Sequence, residues 1–303
     1  MPHRDWTPQG PYDPRRSLMV LRRGPYDPAF QAAADGTLWR ASRTPLGPVT
    51  LRLTQGTGGA LAATAWGPGA DWALDTLPAL LGADDDPAAF VAHHPLVAES
   101  LRRHRGLRLV RTGLVLESLI PSVLEQRVTT EEAYRAWRLL LRRFGEPAPG
   151  PGAELGLYVP PEPRTWVLLP SWEWHLAGVD GKRSAAVVRA ARLARRMEEA
   201  AAMPLPEALA RLQAVPGIGP WTAAETLQRS NGAPDAVTVG DLHLPGVVGH
   251  ALAGERDADD ERMLELLAPY AGQRYRATRL ILLAGVVPPR RAPRQRHARI
   301  ARL

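Results

Sequence analysis

The chain has 303 residues, no cysteine, and a formal net charge of +7 with a sequence pI of about 10.4. Without cysteine there are no disulfides and no thiolate metal sites, and the basic balance favours a polyanionic partner while saying nothing about fold. An apolar fraction of 45% at this length is enough for two or three packed units.

Residues 1–10 lack the apolar core of a signal sequence, so the expected location is the cytoplasm. Val49, Leu51 and Leu53 alternate with Thr50 and Arg52, the period of a half-buried strand, and residues 17–22, 37–43 and 60–66 read as its partners. After Gly69 the apolar residues Trp72, Leu74, Leu77, Leu80 and Leu81 take a more helical spacing that Pro78 breaks. From about residue 87 the pattern is helical. Leu114, Leu116, Leu119, Ile120, Val123 and Leu124 form a broad apolar face that Pro121 interrupts and that ends at Glu125-Gln126-Arg127. Thr129 with Glu132 suits a capping box for the next helix, whose core face is Ala133, Trp137, Leu140, Leu141 and Phe144 before Gly145 stops it. Residues 147–152 read as a loop. Val187, Val188, Ala191, Leu193, Ala194 and Met197 supply a further helix, with Arg189, Arg192, Arg195 and Arg196 on a solvated face.

Residues 205–229 carry the most informative pattern. Leu205, Leu209 and Leu212 fall at helical spacing, and Trp221 to Arg229 contains no Gly or Pro and reads as a second helix. Between them stands Pro216-Gly217-Ile218-Gly219-Pro220. Two glycines one residue apart allow positive φ and a close approach to another chain, while Ile218 plugs the gap between the helices. The N–H groups opening the second helix, including that of Thr222, then face outward as an anion site fit for a phosphate. An ordinary tight turn is the plain alternative.

Asp241 follows Trp221 by 20 residues and precedes the apolar Leu242, Leu244, Val247 and Val248, so it reads as a helix cap, as a fixed reactive carboxylate, or as both. Asp84, Asp85 and Asp86, like Asp257, Asp259 and Asp260, sit in polar clusters typical of solvated helix starts, and His243 reads as structural. Residues 280–287, the longest apolar stretch near the C-terminus, are too few to span a bilayer. Residues 288–303, with six arginines and three prolines, read as a flexible basic extension.

The string PGIGPWTA with its downstream aspartate resembles the hairpin of the helix-hairpin-helix DNA glycosylases, most closely the AlkA-like 3-methyladenine DNA glycosylases II, over residues 17 to 286 or so. This resemblance implies an α+β fold: an N-terminal antiparallel sheet domain over residues 1–86, a two-part helical glycosylase domain over 87–287, and the tail. It implies a monofunctional enzyme of base excision repair that flips out an alkylated purine and hydrolyses its glycosidic bond, with Asp241 as the catalytic carboxylate. The strand-nicking branch uses a lysine where this chain has Trp221, and Lys182 is the only lysine here. No iron-sulfur cluster can form without cysteine, no metal is expected, and a monovalent cation at the hairpin is compatible with the motif. The expected partner is double-stranded DNA containing damaged bases, bound by a nucleoid-associated monomer.

By the same resemblance Gly217, Ile218, Gly219 and Thr222 hold phosphate, Arg127 wedges into the vacated stack, and Gln126 meets the partner strand. Trp221 is the best-supported pocket wall, whereas Trp172, Trp174 and Tyr275 serve equally well as pocket or core. Three places depart from the family: Glu125 replaces a glycine, Glu225 replaces an aromatic residue one turn after Trp221, and Gln273-Arg274 stands near where the relatives carry a pocket tryptophan. Glu225 reads as a pocket hydrogen-bond acceptor or as solvent-facing. Two other readings stay open: a glycosylase for oxidised or deaminated purines on the same fold, and a damage-sensing DNA-binding protein without base release.

Overall fold

The computed structural model describes residues 2–56 and 59–288. Five antiparallel strands, β1 (His3–Trp6), β2 (Phe30–Ala32), β3 (Leu38–Thr44), β4 (Gly47–Gln55) and β5 (Leu61–Trp66), form one sheet in the order β1-β5-β4-β3-β2. Leu51 pairs with Arg40 and Ala65, so that Val49, Leu51, Leu53, Leu61, Ala63 and Ala65 form a buried face under the short helices Ala70–Asp75 and Leu77–Leu80. Residues 17–22 depart from the expected strand. Asp13 caps a helix at Pro14–Leu18 by accepting from the Arg16 N–H, and a 3-10 turn continues through Leu21. The aspartate-proline start signal prevails over the β-leaning run that follows.

The longer helices are α1 (Pro95–Arg103), α2 (Val115–Leu124), α3 (Thr130–Phe144), α4 (Gly181–Arg192), α5 (Leu205–Gln213), α6 (Pro220–Ser230), α7 (Leu244–Ala253), α8 (Asp260–Leu267) and α9 (Arg274–Leu283). The capping box at Thr129 and Glu132 is present, and Gly145 ends α3. Pro121 does not interrupt α2. The Ser118 and Ser122 hydroxyls on either side of it donate to the carbonyls of Leu114 and Ser118. Residues 147–152 are more ordered than a loop: Glu146–Pro147 pairs with Tyr158–Val159, and a helical turn runs over Pro151–Glu154.

Two separate apolar cores divide the helical region. One gathers α2 to α6, with Leu119, Leu124, Trp137, Leu141, Val187, Leu212, Ile218 and Leu227. The other joins Phe90, Val97 and Leu107 to α7, α8 and α9 through Val248, Met263, Leu267 and Ile281. Polar contacts tie the sheet to the first core: Glu117 accepts from the Arg40 guanidinium, the Ser42 hydroxyl and the Arg43 N–H. The Trp137 indole N–H donates to Asp27, whose carboxyl burial pushes above the ordinary range. Asp85 is no solvated cap; it forms a buried ion pair with Arg276 of α9. No helix among the described residues is long and apolar enough to cross a membrane. The expected basic extension lies outside the described residues, except for Pro288.

Candidate active site

The hairpin joining α5 and α6 turns on two glycines with different jobs. Gly217 has φ +97, and a Cβ there would lie 2.8 Å from the Ala186 Cβ on α4, so both backbone and packing require glycine. Gly219 caps α6 with extended backbone, φ −95 and ψ −178, which any residue adopts. The expectation of positive φ at both glycines therefore holds only at Gly217. At Gly219 a Cβ would meet nothing within 4 Å, which leaves open space before the helix. Pro220 opens α6 without an N–H, so the groups with no intrahelical acceptor include those of Trp221 and Thr222. Ile218 is 4% exposed and packs in the first core, filling the gap between the helices.

Across from the hairpin lies the turn after α2, and three anchors fix it. Glu125 pairs with Arg23 at 2.7 Å, the buried Arg183 donates to the Leu124 carbonyl at 2.8 Å, and Gln126 Nε2 donates to the Gly217 carbonyl (2.9 Å) and Thr222 Oγ1 (2.8 Å). The Gln126 amide expected to face a partner strand thus serves as the clamp between this turn and the hairpin. Thr222 is buried and contributes its hydroxyl to the clamp. Arg127 follows, exposed, at φ +53, and is the one non-glycine residue with positive φ among those described. For a side-chain-bearing residue this conformation costs about 1–2 kcal/mol.

Asp241 sits where the two helical cores meet. Its Oδ2 accepts the Trp221 indole N–H at 2.9 Å, and its Oδ1 accepts the backbone N–H groups of His243 and Leu244, both at 2.8 Å. It therefore ties α6 of one core to the start of α7 in the other. Oδ1 has both lone pairs occupied by these bonds, while Oδ2 accepts one of them. Asp260, missed in the sequence as a generic helix start, holds the loop from behind by accepting from the Gly240 N–H at 2.9 Å. Leu242 and His243 are exposed at the rim.

One turn along α6, Glu225 is not solvent-facing. Oε2 pairs with Arg229 at 2.7 Å and Oε1 accepts from the Thr238 hydroxyl at 3.1 Å; Thr238 in turn accepts from Gln228 Nε2 at 2.8 Å. Arg229 reaches the sheet domain through the Val20 carbonyl. Burial opposes the charge of Arg229, but Glu225, Tyr275 and Glu125 together outweigh it and hold the guanidinium above its ordinary range. Arg229 and Thr238 were not singled out in the sequence, although Glu225 and Arg229 stand at the i, i+4 spacing that favours such a pair. Tyr275, 5% exposed, adjoins this pair. Trp174 is no pocket wall: it is 3% exposed and stacks on Trp166 inside the first core, so neither face is open, whereas Trp172 is exposed. Gln273 and Arg274 are engaged locally, with Arg276 and Asp235.

The arginines of α4 and the following turn, Arg189, Arg192, Arg195 and Arg196, are exposed, and Arg189 also donates to the Pro216 carbonyl at 3.2 Å. The hairpin carbonyls of Val215, Pro216 and Gly217 each accept a hydrogen bond, from Ile218, Arg189 and Gln126. A monovalent cation there would share these oxygens with the protein's own donors. Among the described residues no group of three or more His, Cys, Asp and Glu is placed to hold a metal ion.

No protein-family profile and no curated protein matches the chain. Solved structures do. The 3-methyladenine DNA glycosylase from Archaeoglobus fulgidus is 17% identical with a TM-score of 0.75, covering 93% of this chain and 98% of that one. MBOgg1 in complex with a low affinity DNA ligand is 16% identical with a TM-score of 0.72, covering 94% and 98%. An 8-oxoguanine glycosylase/lyase of Clostridium acetobutylicum, bound to duplex DNA with cytosine opposite 8-oxoG, is 11% identical with a TM-score of 0.70, covering 90% and 91%. At these identities the likeness establishes architecture: the chain is built on the fold of the helix-hairpin-helix DNA glycosylases.

Proposed function

We propose that this protein is a monofunctional DNA glycosylase that turns a damaged purine out of duplex DNA and hydrolyses its N-glycosidic bond, with Asp241 as the catalytic carboxylate. The observation that carries the reading is the placement of Asp241. A single carboxylate is fixed by three N–H donors between two helical cores, one of them the indole of Trp221 in the first turn of the helix that the hairpin opens. Cleavage of the bond builds positive charge on the deoxyribose, and a carboxylate held beside C1′ stabilises that charge without reorganising. The free lone pair of Oδ2 is the one available to the sugar or to the attacking water. The hairpin grips backbone phosphate, Trp221 offers a face to the extruded base, and Arg127 fills the vacated stack.

Alkylated purines are the first substrate class in this reading, because a cationic base leaves with help from one carboxylate alone. Oxidised purines are the second, and the Glu225–Arg229 pair favours them, since a polar wall suits a neutral base better than an apolar one. Chromatography of bases released from alkylated and from oxidised duplexes tests both; release from neither would remove the catalytic reading.

Trp221 has no amine to attack C1′, so borohydride is expected to trap no covalent enzyme–DNA adduct through the hairpin. An adduct that survives Lys182→Ala and blocking of the N-terminal amine would contradict hydrolysis by water.

Arg127→Gly separates grip from extrusion. Glycine accepts φ +53 without strain, so stability is expected to rise by up to about 1 kcal/mol. Binding to lesion or abasic duplexes should fall at least tenfold further than binding to undamaged duplex, read by titration at one salt concentration. Equal losses on both duplexes would make Arg127 a plain phosphate contact.

A further inference from the structure

We propose that Glu225 makes the site selective for guanine-derived lesions, by accepting hydrogen bonds from the adjacent N1–H and N2–H groups of the extruded base. The inference rests on the reading that a base is extruded beside Trp221 and Asp241. Trp221 and Glu225 are i, i+4 neighbours and share one face of α6, separated by about 6 Å of helix rise. Both face the segment that leads into Asp241: Trp221 bonds to Asp241 itself, and Glu225 bonds to Thr238, three residues earlier. A base whose C1′ lies at Asp241 and whose ring lies along Trp221 directs its far edge at Glu225.

The hydrogen-bond chain around Glu225 fixes what that edge meets. Gln228 donates to Thr238 Oγ1, so the Thr238 proton points to Glu225 Oε1, and Arg229 donates to Oε2. Each carboxylate oxygen has then accepted one hydrogen bond and has capacity for one more, which leaves Glu225 an acceptor at both oxygens. Guanine presents two neighbouring donors on its Watson–Crick edge. Adenine presents one amine beside N1, whose lone pair a carboxylate repels. The two edges differ at the position that a fixed acceptor pair reads, and unmet polar groups in such a pocket give strong discrimination. A paired carboxylate with a side chain 16% exposed on a helix facing the reaction centre adds little stability of its own, because desolvation offsets the attraction.

The test compares matched lesions: 7-methylguanine against 3-methyladenine in methylated DNA, and 8-oxoguanine against 8-oxoadenine in synthetic duplexes. Release of each base is expressed as enhancement over its own spontaneous loss. The wild-type protein is expected to enhance release of the guanine-derived member of at least one pair tenfold or more over its adenine-derived partner. In Glu225→Gln, release of that guanine-derived base should fall at least tenfold further than release of the adenine-derived one. Equal enhancements in the wild type overturn the proposal without recourse to any variant, as do equal losses in a folded Glu225→Gln protein. Release of adenine-derived bases alone overturns the guanine assignment and leaves the glycosylase reading standing, whereas release from none of the four overturns both.

Discussion

Asp241→Asn is expected to lose at least about two orders of magnitude in single-turnover base release, the scale for removing one electrostatic stabiliser of a transition state. Asparagine keeps the size of the side chain, and its carbonyl oxygen can still accept the His243 and Leu244 N–H groups that seat the start of α7. The amide nitrogen then faces the Trp221 indole N–H, a donor against a donor, which forfeits one hydrogen bond worth about 1 kcal/mol. Chemical denaturation should therefore show a folded protein only slightly less stable, and lesion-duplex affinity should stay within a few-fold of the parent. A rate near that of the parent, with intact folding, would move the reaction centre away from Asp241.

Gly217→Val carries the next largest expected effect, on stability. Valine at φ +97 is strained by about 1–3 kcal/mol, and its Cβ would meet Ala186 of α4 at 2.8 Å, adding an overpacking cost of about 1–3 kcal/mol. A combined loss of about 2–6 kcal/mol is expected in equilibrium denaturation. Gly219→Val is the contrast, because its backbone is extended and its surroundings are open. That variant should keep its stability to within about 1 kcal/mol, since surface changes away from strain and packing cost little. It should still weaken damaged and undamaged duplexes by similar factors, by standing between the hairpin N–H groups and phosphate. A strong loss of stability in Gly219→Val, with duplex binding preserved, would mean that the open side of the hairpin faces no DNA.

The hairpin was legible because its chemistry is local: prolines and glycines at fixed offsets dictate the turn, and Ile218 reaches its core whatever surrounds it. Strands β4 and β5 were legible because Val49, Leu51 and Leu53, like Leu61, Ala63 and Ala65, fall on one buried face, which puts their apolar residues at a period of two. Residues 17–22 were misread because a short apolar run fits strand or helix equally, and the deciding signal stood earlier, at Asp13 and Pro14. The parts of the site that stayed hidden depend on distant residues. The Gln126 clamp joins atoms 91 and 96 positions apart, and the anchors that hold Arg127 at positive φ come from the sheet domain and α4. Burial of Trp174 follows from its stacking on Trp166, which no spacing rule distinguishes from a pocket wall. Asp85 and its partner Arg276, 191 positions apart, show the same limit for charge: a polar cluster in sequence became a buried ion pair.

In the proposed reaction, water attack releases the base and leaves the DNA backbone whole. The most direct measurement incubates end-labelled duplexes, each with one alkylated or oxidised purine, and follows free base by chromatography and strand integrity by denaturing gel before and after alkali. Free base should accumulate in step with abasic sites that break only on alkali treatment, and Asp241→Asn should lose both. Breakage without alkali, or tight binding of the lesion duplex with no base released, would contradict it.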